Sequence, residues 1–154
     1  MFRDYTELDS NSVSAIDEGK LLHEIFKSIK HIEDVETAVD RAYLSGLIKR
    51  EERADYTAKI VSFLDNTQAA QWFSEECKVI NEQDILFPDG HKARPDRVVE
   101  TDDKVIVIDY KFGVSEEKKY IKQVRFYCQT LKQMKYQNVE GYIWYVKLEK
   151  IVKV

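Results

Sequence analysis

The feature that most constrains the fold is the apolar run Val105–Ile108, in which every residue is β-branched. A second β-rich run, Arg97–Glu100, precedes it, and four polar residues, 101–104, separate the two runs. A strand that is apolar on both faces belongs in the middle of a sheet. The pattern therefore predicts an antiparallel hairpin whose second strand is central.

The register of this hairpin depends on its turn. If Asp102 and Asp103 form a two-residue loop, Asp96 lies directly opposite Asp109. Opposed residues share one face of the sheet, with Cβ atoms about 5 Å apart. Lys111 follows Asp109 by two residues and so shares that face. Two acids and a lysine are therefore expected to meet at the end of a buried strand.

The hairpin register alone allows two interpretations of this cluster. Two carboxylates so close together repel unless a cation or a proton lies between them. Carboxylate oxygens with room for water suit Mg²⁺ or Mn²⁺, and such an ion acidifies water and neutralises charge on a phosphate oxygen. Lys111 would then orient the attacking water or offset transition-state charge. The alternative is an exposed cross-strand salt-bridge cluster.

The N-terminal half has the hydrophobic spacing of helices. Ser14 and Asp17 fit a capping box, and apolar residues recur at helical spacing from Leu21 to Ile29. Further helices are expected over about Glu33–Leu44 and Arg50–Leu64, and a short one after Asn66.

The period changes near Cys77. This part of the chain is expected to contain a strand over Lys78–Glu82, a turn over Phe87–His91, a helix over Glu116–Tyr136 with an inner stripe that runs from Ile121 to Met134, and a strand over Gly141–Val146. The order of these elements favours an α/β or α+β layer structure. We expect one domain over residues 1–154, with a helical part over about 14–74 and a sheet with its helix over about 77–148.

Composition narrows the functional classes. The chain has 154 residues, 44% of them apolar, and it has no run long enough to span a membrane and no signal-type N-terminus. Two cysteines, Cys77 and Cys128, cannot form a four-cysteine site. We therefore expect a cytoplasmic protein with no membrane partner.

Charge is divided unevenly along the chain. Residues 1–110 carry 14 Lys/Arg and 24 Asp/Glu, whereas residues 111–154 carry 10 and 4. The basic part could face a phosphate backbone although the net charge of the whole chain is −4. An ordinary asymmetry between solvated faces explains the same numbers.

The motifs together resemble a known family. Pro95-Asp96 and Asp109-Tyr110-Lys111 resemble the signature of the PD-(D/E)XK nuclease superfamily. Four further segments are similar to the RecB/AddA branch, the C-terminal nuclease domain of a UvrD-like helicase. They are Gly19–His23, Ser45–Ile48, Ile108–Gly113, and the helix with Tyr120, Gln123 and Tyr127.

This resemblance implies a fold and a site. The fold would be a restriction-endonuclease-like α/β core, a mixed central sheet flanked by helices with a helical N-terminal half. His23, Asp96, Asp109 and the backbone carbonyl of Tyr110 would hold Mg²⁺ or Mn²⁺, and Lys111 would be catalytic together with the two acids. Phe112 stands where the family often has threonine. The four cysteines with which some relatives bind an iron–sulfur cluster are not in this sequence.

The roles of the three histidines and of Glu82 are less well defined by the sequence. Without the motif, His23 is more typical of a packed or surface residue, although imidazole is a common metal ligand. His31 and His91 have no motif support. Glu82 is either a further carboxylate of the site or a solvent-facing strand residue.

The helix after the central strand is a candidate DNA-binding element. Gln123 and Tyr127 are four residues apart and share one helix face, with Lys119 and Lys122 beside them. These residues could hold a strand by stacking and phosphate contact. An amphipathic helix with a wet basic face is the alternative.

The resemblance implies a metal-dependent DNA exonuclease module of a helicase–nuclease, with DNA as a single strand or a duplex end. The helicase motor would act in cis or in trans, because the sequence has no phosphate-binding Gly-x-x-x-x-Gly-Lys motif of its own. Two alternatives are a non-catalytic DNA- or protein-binding module on the same fold and a structure-specific endonuclease.

Overall fold

The structure is a computed structural model that describes residues 6–81, 85, 86, 90 and 92–154. Side chains are described for residues 17–80, 86, 90 and 92–154. Glu82, His91 and most of the turn expected at Phe87–His91 lie outside the described residues. No helix in the described part of the chain is both long enough and apolar enough to cross a membrane.

Helices form the N-terminal part of the chain and one later layer. The α-helices are α1 (Thr6–Lys27), α2 (Val35–Leu44), α3 (Arg53–Leu64), α4 (Thr67–Gln71) and α5 (Lys118–Gln133), and single 3₁₀ turns cover Ile32–Asp34, Arg50–Glu52 and Val146–Leu148. The expectations for α2, α3 and α4 are confirmed. The capping box at Ser14 is wrong, because α1 begins at Thr6 and Ser14 lies inside it.

A mixed sheet forms the centre of the molecule. Its strands, in spatial order, are β1 (Lys78–Asn81), β4 (Arg97–Glu100), β5 (Val105–Lys111), β6 (Val139–Tyr145) and β7 (Lys150–Lys153), and β2 (Ile85–Leu86) and β3 (Lys92–Ala93) form a separate pair. Only β5 and β6 run parallel among the pairs in this sheet. The α/β class and the central place of β5 are confirmed.

The predicted hairpin register is also confirmed. Arg97 pairs with Ile108 and Glu100 with Val105. The turn between the strands closes with the Thr101 N–H donating to the Lys104 carbonyl at 2.9 Å. The two-residue turn determines this register. The same register places Asp96, before Arg97, beside Asp109, after Ile108.

The two faces of β5 belong to two hydrophobic clusters. Ile106 and Ile108 pack with α1, α2 and α3, whereas Val105 and Val107 pack with α5. Since side chains alternate along a strand, Asp109 and Lys111 point to the α5 side. On α5, Met134 is exposed rather than part of the inner stripe, because the helix ends at Gln133.

A buried arginine ties the helical layer to the sheet. Arg97 is fully buried, and its guanidinium lies 3.7 Å from the centre of the Phe73 ring. It donates to the carbonyls of Ile29, at 2.8 Å, and of Lys30 and Trp72. Buried charge is tolerated only when it is hydrogen-bonded in this way, so Arg97 connects the ends of α1 and α4 to the start of β4.

Candidate active site

Three charged side chains meet where β5 ends. Asp109 and Lys111 point to one face of the strand, and their side chains are 5% and 21% exposed. The Lys111 ammonium lies 2.7 Å from Asp109 Oδ2. Asp96, in the bend before β4, is 15% exposed. The structure thus brings together the two acids and the lysine that the hairpin register predicted.

A backbone hydrogen bond holds Asp96 in place. The N–H of Tyr110 donates to Asp96 Oδ2 at 2.7 Å. Asp96 immediately precedes Arg97, the first paired residue of β4, and its side chain rather than a backbone carbonyl accepts this hydrogen bond from β5. The hairpin therefore orients one acid through the backbone of the strand that carries the other.

The charged form of Asp96 is disfavoured in this cluster. Burial raises the pKa of Asp96 well above its ordinary value, and the negative charge of Asp109 raises it further. The Tyr110 N–H and the Lys111 ammonium lower the pKa only in part. A carboxylate in this position favours either a bound proton or a nearby cation.

One oxygen of Asp109 is a buried acceptor. Oδ2 accepts no hydrogen bond from the described residues, and its contact with Lys111 is an ion pair without hydrogen-bond angles. Buried polar atoms are normally satisfied. An oxygen of this kind is suited to a cation or a water molecule.

His23 lies at the edge of the same cluster. Its Nδ1 is 3.6 Å from Asp96 Oδ1, and its side chain is 35% exposed. The ring packs edge-on against Phe112, with centroids 4.9 Å apart. This contact with Phe112 restricts the orientation of the imidazole through packing.

The carboxylates of the cluster match the needs of a hard divalent ion. Within the described ranges, no three His, Cys, Asp or Glu side chains are placed to hold a metal as a complete set. Mg²⁺ often binds through one or two carboxylates and keeps its other positions for water and substrate phosphate. Asp96 and Asp109 meet that requirement, so the residues present fit a hard divalent cation.

The sequence does not predict that Lys111 contacts an aromatic ring. The Lys111 ammonium lies 4.2 Å from the centre of the Tyr120 ring. The Tyr120 hydroxyl donates to Glu117 Oε1 at 3.1 Å, which anchors the ring at the start of α5. Tyr120 is part of the motif that resembles the family, but nothing in its spacing shows that it touches Lys111.

The candidate DNA-binding residues of α5 have different environments. Gln123 is exposed and donates to the Tyr127 hydroxyl at 2.9 Å. Lys122 is exposed, and Lys119 is paired with Glu117 at 2.8 Å.

Tyr127 is only 6% exposed, and its ring belongs to the core on the α5 side of the sheet. Burial raises the pKa of Tyr127, the hydrogen bond with Gln123 lowers it in part, and the negative charges of Asp109 and Asp96 raise it further. In this placement the ring is not presented for stacking, which requires an exposed face.

A family model shows to which superfamily this domain belongs. A family model described as the PD-(D/E)XK nuclease superfamily matches residues 2–154. The chain belongs to this superfamily, and its mixed sheet with flanking helices is consistent with the restriction-endonuclease-like α/β fold. No curated protein matches the sequence at a significant level.

Proposed function

We propose that the chain is a metal-dependent deoxyribonuclease. The observation that carries the proposal is a pair of carboxylates, buried Asp109 and half-buried Asp96, beside the Lys111 ammonium at the end of the central strand. Membership of the nuclease superfamily supports the same activity. Without a bound cation, the charged form of Asp96 would destabilise the folded protein.

The residues of the chain have distinct tasks in this proposal. Asp96 and Asp109 would hold Mg²⁺ or Mn²⁺, with His23 and the backbone carbonyl of Tyr110 as further ligands. When bound, the ion supplies a more acidic water and neutralises charge on the phosphate. Lys111, held beside Asp109, orients the attacking water and offsets negative charge as the phosphodiester is cleaved.

We further propose that the domain is the exonuclease module of a RecB/AddA-type helicase–nuclease. The glycine–histidine segment of α1, the motif around Asp109 and the glutamine–tyrosine pair of α5 support this placement. A motor in cis or in trans would deliver the DNA. The proposed substrate is a single strand or a duplex end.

The activity is tested on linear DNA labelled at its ends and on circular DNA, with Mg²⁺, Mn²⁺ or EDTA. We expect cleavage of linear DNA that requires the metal and is lost in Lys111→Ala. Lys104→Ala is the matched control, because Lys104 lies at the opposite end of the hairpin in an ion pair with Glu140. Cleavage of circular DNA would instead indicate an endonuclease. DNA binding without cleavage under any of these conditions would indicate a non-catalytic module.

A further inference from the structure

We propose that one exposed stripe of α5 binds single-stranded DNA, with the Phe126 ring as the platform on which a base stacks. The stripe consists of Lys119, Lys122, Phe126, Gln129 and Gln133. The inference deepens the proposed function, because it names the form of DNA that the nuclease site receives.

Helix geometry places these five residues on one face. They are spaced three and four residues apart, which is the spacing of neighbours on a helix surface, and all five are exposed. The opposite face of α5 is buried against the sheet through Val124, Cys128 and Leu131. The stripe therefore faces away from the core along the length of α5.

Phe126 is the aromatic residue that this face presents. Its side chain is 49% exposed, whereas the neighbouring Tyr127 is 6% exposed. The two ring centroids are 6.4 Å apart. The ring of Tyr127 is therefore too buried to stack on a base, whereas the ring of Phe126 is exposed enough to do so.

The stripe begins beside the site. The Lys119 ammonium lies 5.4 Å from the centre of the Tyr120 ring, and the Lys111 ammonium lies 4.2 Å from the same centre. Tyr120 therefore links the first residue of the stripe to the proposed catalytic lysine. A strand that follows the stripe towards the start of α5 therefore approaches Lys111, which lies 2.7 Å from Asp109 Oδ2.

The charge around Phe126 suits a phosphate backbone. Lys122, one helical turn before Phe126, and Arg125 are both exposed and make no ion pair with the described residues. Lys119 shares its charge with Glu117 at 2.8 Å and contributes less. Cations beside one exposed aromatic ring are the combination that holds single strands by phosphate contact and stacking.

The choice of a single strand over a duplex rests on the ring. Phosphate neutralisation acts on both forms of DNA, whereas inside a duplex each base face is covered by the neighbouring base pair. An aromatic side chain that is half exposed between cations therefore has no base to stack on along the side of a duplex. Phe126 is therefore the residue that distinguishes the two substrates.

The test measures binding of a fluorescent single strand and of a duplex of equal length, in EDTA so that no cleavage occurs. Phe126→Ala should weaken single-strand binding about tenfold, within the range for loss of one stacked base, and leave duplex binding and the salt dependence unchanged. Phe126→Trp should retain binding, with indole fluorescence quenched by the single strand. Met134→Ala is the matched control, because Met134 is also 49% exposed but lies beyond the stripe.

Salt dependence separates the ionic part of the stripe. Lys119→Ala with Lys122→Ala should make the loss of affinity with salt less steep, since fewer counterions are released. Unchanged affinity and slope in that variant would overturn the stripe as the DNA path. Equal single-strand affinities for Phe126→Ala and Met134→Ala, or an equal loss on duplex, would overturn the stacking role.

These outcomes are distinct from failure of the nuclease proposal. A wild-type protein that binds single strands through Phe126 but cleaves nothing with Mn²⁺ would support the stripe and refute the nuclease activity. A protein that cleaves DNA while Phe126→Ala binds it as the wild type does would refute the stripe alone. Circular dichroism of each variant checks that the exposed substitutions leave the fold intact.

Discussion

The Lys111 ammonium lies between the carboxylate of Asp109 and the face of Tyr120, 2.7 Å from Asp109 Oδ2 and 4.2 Å from the ring centre. Asp109 and Lys111 belong to β5, whereas Tyr120 lies in the first turn of the helix that follows. The ring and the carboxylate together hold the Lys111 ammonium at this position. Tyr120 is therefore a candidate positioning residue for the proposed reaction.

Tyr120→Leu should lower the single-turnover cleavage rate about 3- to 30-fold, the range that corresponds to loss of a partly desolvated cation–π contact. Tyr120→Phe keeps the ring and should retain most of the rate. The substrate KM should change little in either variant, because Lys111 acts on the water. Tyr136→Leu, at an exposed aromatic beyond the end of α5, is the control. Equal rates in Tyr120→Leu and the wild type would exclude a positioning role.

Asp109→Ala should abolish binding of Mn²⁺ as measured by isothermal titration calorimetry. The side chain supplies a buried oxygen that accepts no hydrogen bond from the described residues, and its loss leaves one carboxylate in the cluster. Asp109→Asn, which keeps the shape, should show the same loss. Asp103→Ala, in the exposed turn at the other end of the hairpin, should bind as the wild type does. Unchanged binding in both Asp109 variants would contradict the site.

Asp96→Asn should stabilise the protein at neutral pH in EDTA. A folded-state pKa above the ordinary value means that the folded protein holds a proton that the unfolded chain has released. The free energy of unfolding therefore falls as pH rises from the ordinary pKa of aspartate through the raised value. The variant removes this penalty and keeps an oxygen to accept from the Tyr110 N–H.

The measurement for Asp96→Asn is the melting temperature across pH. Each kcal/mol gained corresponds to about 2–4 °C at this chain length. The difference from the wild type should disappear at acid pH, where Asp96 is protonated in both states. Lower stability of the variant at neutral pH would show that the charged form of Asp96 is favoured in the fold.

Glu18→Gln should lower the free energy of unfolding by about 1–2 kcal/mol at neutral pH, less than the full value of two hydrogen bonds to a charged group because solvent screens these partly exposed side chains. Glu18 of α1 accepts from Lys147, at 2.7 Å, and from Lys59, and its side chain is 28% exposed. These bonds, first that of Lys147, lower the pKa of Glu18. The stabilisation is present above the ordinary pKa and is lost as pH falls towards the lowered value.

Denaturant unfolding at neutral and acid pH measures this effect. The difference between Glu18→Gln and the wild type should vanish at acid pH. Glu24→Gln is the control, because Glu24 is 57% exposed and its contact with Lys27 is a longer 3.8 Å. A difference that persists at low pH would mean that packing rather than charge carries the effect.

The hairpin and its two acids could be predicted because their geometry is local. An apolar run and a two-residue turn determine the register, and the register places Asp96 beside Asp109 whatever packs around them. The alternation of side chains along a strand then places Lys111 on the same face. The helices α2 and α3 could also be predicted, because the apolar spacing that indicates each helix lies within one continuous segment of the chain.

Other features depend on which elements pack together. The contact of Tyr120 with Lys111, the burial of Tyr127 beside an exposed Phe126, and the approach of His23 to Asp96 all depend on how α1 and α5 lie against the sheet. Nothing in the local sequence predicts that Arg97 is buried, because its burial depends on the ends of α1 and α4, which lie far away in the chain. Sequence spacing determines which face of its own element a residue occupies, but only the packing of elements distant in the chain decides what that face meets.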